Sequence, residues 1–204
     1  MTQSIWKSIK SWLGNKSTSQ NNNTPGKTSL SEGEALESYP LDGSLNIRRM
    51  RIDDVEQVHD IDVLSFSMPW PSSSYRFELL DNPASLSWVA EIALPDGNTR
   101  VIGMVVVWMV TDEAHIATIA VHPDYRGRGA GRKLLAACLR ATACKGAKRS
   151  TLEVRAGNVI AQSLYQSFGF QVAGRRPRYY QDNNEDALIM TLFDMDPRQM
   201  GGCD

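Results

Sequence analysis

Apolar positions fall into two regimes along the 204-residue chain. Over residues 5–13, Ile5, Trp6, Ile9, Trp12 and Leu13 recur at helical spacing, with Lys7, Lys10 and Ser11 on the other side, which predicts a short amphipathic helix. Residues 14–34 (GNKSTSQNNNTPGKTSLSEGE) have no apolar period, and so polar a stretch predicts a disordered linker.

From residue 45 the pattern tightens. Leu45-Asn46-Ile47-Arg48-Arg49-Met50 alternates as a strand, and Asp53 or Asp54 is placed to cap a helix that turns Val55, Val58 and Ile61 inward. Met68-Pro69-Trp70-Pro71 ends that helix, because proline removes a donor and fixes the backbone. A second helix over 73–80 is followed by strands over 86–92 and 100–110, joined by the turn Pro95-Asp96-Gly97-Asn98. The run 100–110 is apolar on both alternations, which predicts burial on both faces. A strand over 113–121, a helix over 131–145, a short strand over 151–154, a helix over 160–168 and strands over 170–180 and 187–193 complete the pattern. This order, β-α-α-β-β-β-α-β-α-β-β, predicts a mixed α/β protein whose twisted sheet of about seven strands carries helices on both faces. The chain divides into an N-terminal extension (1–44), one domain (45–196) and a C-terminal tail (197–204).

Composition narrows the classes. A content of 42% hydrophobic and 22% charged residues describes a globular protein, and a net charge of -1 gives no global field toward nucleic acid. The longest nearly unbroken apolar run, 101–110, falls far short of the ~20 residues that span a bilayer. The first 31 residues lack acidic side chains, but no arginine precedes Arg48, unlike a transit peptide, and Lys and Ser interrupt the apolar stretch a secretory signal needs. The three cysteines, Cys138, Cys144 and Cys203, are an odd number without ligand spacing. That argues for a reducing, cytoplasmic setting and against a disulfide framework or a metal site.

The chemistry gathers around one turn. After Ile119-Ala120-Val121 comes His122-Pro123-Asp124-Tyr125, then Arg126-Gly127-Arg128-Gly129-Ala130-Gly131-Arg132, within which a helix starts. A glycine-rich turn between a strand and a helix exposes N–H groups at the positive end of the helix dipole, an anion site. No Gly-Lys-Ser/Thr follows, and the spacing is not that of a dinucleotide fingerprint. The loop R-G-R-G-A-G fits the (Q/R)-x-x-G-x-(G/A) pattern of acetyl-CoA binding in the GNAT superfamily of N-acetyltransferases. Further on, Leu152-Glu153-Val154-Arg155-Ala156-Gly157-Asn158 and Leu164-Tyr165-Gln166-Ser167-Phe168-Gly169-Phe170 resemble the RimI-type members of that superfamily closely. The resemblance runs over about residues 45–193 and leaves the first 44 residues without a counterpart.

That resemblance implies the GNAT fold, acetyl-CoA as co-substrate, and a protein N-terminus, such as a ribosomal protein's alanine, as acceptor. It implies that Gly127, Arg128, Gly129, Ala130, Gly131 and Arg132 bind the pyrophosphate. Ile119, Ala120 and Val121 bind the pantetheine through their main chain, and Asn158 contacts the cofactor. Glu153 becomes the general base and Tyr165 the general acid, and no metal is involved. Taken singly, Glu153 also reads as a solvated edge residue and Tyr165 as packing. His115 and His122 are rival bases ranked below Glu153, and Trp70, Tyr75, Tyr179 and Tyr180 are candidate walls of an acceptor cleft. The N-terminal helix is expected to dock on a partner or a membrane surface. Acetylation of a small amine or lysine side chain, and a non-catalytic acyl-CoA-binding module, are the other functions the sequence leaves open.

Overall fold

The computed structural model describes residues 45–203, so the expected N-terminal helix and linker lie outside the described residues. Seven strands form one sheet in the order β1-β2-β3-β4-β5-β7-β6. They are β1 (Asn46–Arg49), β2 (Ser85–Ala93), β3 (Thr99–Val110), β4 (Glu113–Val121), β5 (Arg149–Arg155), β6 (Gln171–Tyr180) and β7 (Glu185–Leu192). Only β4 and β5 run parallel, and α3 (Ala130–Cys144) makes the crossover between them. The remaining helices are α1 (Val55–Ser65), α2 (Ser72–Leu80) and α4 (Val159–Gln166). The mixed sheet with flanking helices is the architecture the pattern predicts.

Each face of β3 is dry, which is why its sequence does not alternate: all eight residues from Val101 to Trp108 are buried. Val105 and Val107 of β3, with Ala114 and Ile116 of β4 and Leu152 and Val154 of β5, pack against Leu134, Leu135, Cys138 and Leu139 of α3. Tyr165 of α4 joins the same cluster. The opposite face carries Trp108, whose indole donates to Glu78 Oε2 of α2 at 2.8 Å. Gln57 of α1 ties onto that half of the fold by accepting from the Val101 N–H at 3.0 Å. Asp54 does not cap α1 through its side chain; it accepts instead from Arg51 N and from both terminal nitrogens of Arg48, at 2.7–2.8 Å.

Against the expectation of reduced cysteines, two of the three are joined in a disulfide. Cys144, at the end of α3, is bonded to Cys203, and Cys138 is the free cysteine, buried among the core side chains. The two partners are 59 residues apart, a separation that local spacing rules do not register. The segment after β7 returns to α3, where Arg140 Nε donates to the Gly202 carbonyl at 2.8 Å and brings Cys203 within reach of Cys144. No helix among the described residues is long and apolar enough to cross a membrane.

Candidate active site

The sheet opens at its middle. β4 pairs with β5 only from Glu113 to Ile116. Beyond that point residues 118–121 of β4 pair with β3 alone, while Glu153, Val154 and Arg155 of β5 pair with β7 alone. A bulge at Ala117 marks the divergence: Val106 pairs with Thr118 but Val107 with Ile116, so one β4 residue has no opposite number. Such an insertion bends a strand and ends its pairing on one side. Along Ile119, Ala120 and Val121 the main-chain groups that face away from β3 have no β5 partner, the edge an added extended chain requires, although the Val121 carbonyl accepts from Arg126.

The glycine loop lies at the end of this edge. His122 closes the turn Pro123–Tyr125, its Nδ1 accepting from Asp124 N at 3.3 Å. Gly127 and Gly129 hold φ of +75° and +86°, a left-handed backbone that costs glycine nothing. Gly129 is the N-cap of α3, with no side-chain capping bond and no acidic residue in the first turn. Ala130, Gly131 and Arg132 thus begin a 15-residue helix whose glycine N-cap offers its first N–H groups no side-chain acceptor. Arg126 braces the loop from behind, donating to the Val121 carbonyl at 2.9 Å and to Ser65 Oγ at 3.0 Å. Arg128 lies over Tyr125, and Arg132 lies over Phe168 while donating to Ser167 Oγ at 2.8 Å.

Glu153 stands beside the opening and is not a solvated edge residue. Its side chain is 10% exposed, with His115 Nε2 3.2 Å from Oε2 and Arg176 Nη2 3.2 Å from Oε1. The parallel register sets His115 opposite Thr151 and Glu113 opposite Arg149, so alternate polar residues of two strands share one face. Along that face His115 Nδ1 lies 3.2 Å from Thr151 Oγ1, Thr151 donates to Glu113 Oε1 at 2.7 Å, and Arg149 donates to Glu113 Oε2 at 2.8 Å. The His115 ring stacks on Trp108, and Trp108 on Trp70. Tyr75 is fully buried under Trp70 and walls no cleft.

Tyr165 of α4 is buried in the core cluster that Leu152 and Val154 of β5 share, with its ring against Phe170. Burial first, then the neighbouring Tyr180 and Cys138, push its hydroxyl well above the ordinary phenol range. The phenol therefore stays protonated at neutral pH. Tyr180 is pushed up to about 12 by burial and by Tyr179, with Glu153 adding to the rise, so it stands in the field of both groups. Asn158 begins α4, its Oδ1 accepting from Ala161 N at 3.1 Å.

The site also holds residues that the sequence reading passed over. Arg155, at the end of β5, donates to Asp182, Asn183, Glu185 and Ser67 and lies over the Tyr180 ring. The strand alternation Arg149-x-Thr151-x-Glu153-x-Arg155 carried that signal, since every second residue is polar. Among the described residues no cluster of His, Cys, Asp or Glu is arranged to hold a metal.

A split sheet with a glycine-capped helix N-terminus at one end, a carboxylate beside the split and a protonated phenol in the adjoining core is equipped for acyl transfer to an amine. The model of the acetyltransferase (GNAT) family matches residues 55–170, and the chain belongs to that family of N-acetyltransferases. A Bacillus subtilis (strain 168) protein provisionally named a ribosomal protein bS18-alanine N-acetyltransferase is 42% identical over 144 residues, 71% of this chain and 92% of the relative. The Escherichia coli (strain K12) ribosomal protein bS18-alanine N-acetyltransferase is 30% identical over 148 residues, 72% of this chain and 95% of the relative. The crystal structure of the Escherichia coli ribosomal-protein-S18-alanine N-acetyltransferase superposes with a TM-score of 0.65, at 29% identity, over 74% of this chain and 94% of that one.

Proposed function

We propose that this chain transfers the acetyl group of acetyl-CoA to the N-terminal α-amine of a protein, with an alanine-starting ribosomal protein as the acceptor. The relatives named for that reaction support the acceptor class. The observations that support the chemistry are the nearly buried Glu153 carboxylate beside the opening between β4 and β5 and the protonated Tyr165 phenol in the core that Leu152 and Val154 of β5 share.

In this reading the first turn of α3 and the loop from Gly127 to Arg132 receive the pyrophosphate, where N–H groups and the dipole favour an anion. The main chain of Ile119, Ala120 and Val121 receives the pantetheine as an added strand, and the amide of Asn158 turns toward it. Glu153 removes the proton of the attacking ammonium. An α-amine has a pKa of ~7.7–8.0 against ~10.4 for lysine, so freeing lysine's lone pair costs roughly 3.4 kcal/mol more at neutral pH. A single carboxylate site therefore suits the α-amine. A main-chain donor near Ala120 stabilises the tetrahedral oxyanion, and Tyr165 protonates the departing thiolate.

The test is to supply acetyl-CoA with short peptides that differ in their first residue, alongside polyamines, and to locate acetyl groups by mass spectrometry. Acetyl on the α-amine, fastest with alanine first, is the expected result. Acetyl confined to lysine Nζ or to the polyamine, or tight acetyl-CoA binding without turnover, would overturn the reading.

A further inference from the structure

Resting on the reading of Glu153 as the base, we infer that His115 and Glu153 take up the acceptor's proton as one unit, the proton lodging between Glu153 Oε2 and His115 Nε2. The hydrogen bonds behind the histidine fix its tautomer. Glu113 is paired with Arg149 at 2.8 Å and is an acceptor only. Thr151 has one hydroxyl proton and stands 2.7 Å from Glu113 Oε1, so the proton points there and an oxygen lone pair faces His115 Nδ1. Nδ1 consequently carries the ring proton. The neutral ring then turns the lone pair of Nε2 toward a carboxylate oxygen 3.2 Å away. Two acceptors face each other at hydrogen-bonding distance with no proton between them. A proton arriving between them makes an ion pair of the two.

The surroundings keep the charges in place. Arg176 of β6 stands 3.2 Å from the other oxygen of Glu153, Tyr180 of β6 lies within its field, and Trp108 of β3 covers the ring. Behind Trp108, Glu78 of α2 is occupied by the indole N–H, and Glu113 of β4 by Thr151 and Arg149 of β5. The balance is simple. The ammonium gives one proton to the pair, which becomes a histidinium beside a carboxylate. The freed amine forms the N–C bond, and the C–S bond breaks as the tetrahedral adduct collapses; the adduct's N–H proton leaves to water, Tyr165 gives its proton to the thiolate and regains one from water, and the pair returns its own proton to water.

Two measurements on the full chain test this. With three histidines, ¹⁵N-histidine spectra are readily assigned using His115→Gln. His115 should show a protonated Nδ1 and an Nε2 resonance that moves in Glu153→Gln while those of His59 and His122 stay in place. In kinetics, His115→Gln should shift the acid limb of kcat/KM for peptide by at least one unit and lower kcat about tenfold. The KM for acetyl-CoA should stay within twofold, and the double variant should be no slower than Glu153→Gln alone. A His115 Nε2 resonance blind to Glu153→Gln, or an unmoved acid limb in His115→Gln while Glu153→Gln is inactive, sinks the pair alone. Wild-type turnover by Glu153→Gln sinks the reading of Glu153 as the base, and the pair with it.

Discussion

Arg155 and Asp182 bind each other through both carboxylate oxygens, at 3.0 and 2.8 Å, joining the end of β5 to the turn between β6 and β7. The same guanidinium reaches Ser67 in the segment between α1 and α2, and Ser67 itself donates to Asp182. Two loops are thus tied to the end of the strand that carries Glu153 by one planar cation, whose fixed fork suits several acceptors at once.

Arg155→Ala should free those loops without touching the reacting groups. The KM for peptide is expected to rise about tenfold, with the KM for acetyl-CoA within twofold, because the loss falls on acceptor positioning. Arg155→Lys should recover little, since a point charge cannot span the same acceptors. Steady-state kinetics with each substrate varied in turn reads this directly.

Gly129→Ala isolates a backbone effect. Nothing lies within 4 Å of an added Cβ, so the penalty comes from the φ of +86° and not from a clash. Holding alanine there costs on the order of 1 kcal/mol, or a realigned loop. Binding of acetyl-CoA, measured by calorimetry, should weaken about fivefold or more, with the melting temperature changed by a few degrees at most.

How much of this was legible in the chain follows from the range of the interactions. The β4 edge, the glycine loop and α3 are consecutive, and their chemistry is local, so Ile119 to Arg132 could be read as one unit. The partnership of His115 with Glu153 was not legible, although both residues had been singled out as candidate bases. It depends on a parallel register that places His115 opposite Thr151 after a helical crossover, and no local rule gives that register. The Cys144–Cys203 bond escaped for the same reason, since it needs the segment after β7 to return to α3. Tyr75, read as a cleft wall, is core, because a tyrosine's sequence context does not say which side of its helix faces the sheet.

Arg48 and Asp54 offer a test of stability against pH. Burial works to raise the Asp54 carboxyl, but the paired bonds from Arg48 and the N–H of Arg51 hold it below the ordinary carboxylate range. A depressed acid stabilises the fold above its unfolded value near ~4 and loses that contribution as pH falls through the folded value. Arg48→Met, which strands a buried carboxylate, should cost about 3 kcal/mol at neutral pH, and less below pH ~4. Urea titrations at several pH values check both the size and the sign.

Thiol reactivity checks the cysteine assignment. Burial pushes the Cys138 thiol up to about 12, so it should resist iodoacetamide in the native protein. The unreduced chain, once unfolded, should yield one free thiol, and three after reduction. Three thiols without reductant would contradict the Cys144–Cys203 bond.

The most direct test of the central claim is the rate of α-amine acetylation of an alanine-starting peptide by Glu153→Gln and Tyr165→Phe. Calorimetry in parallel would confirm that acetyl-CoA still binds. Loss of about a hundredfold or more in kcat in each variant, with acetyl-CoA affinity within threefold of wild type, is the predicted result. Turnover within fivefold of wild type in either variant would contradict the account and return the search for the base or the acid to the other groups around the opening.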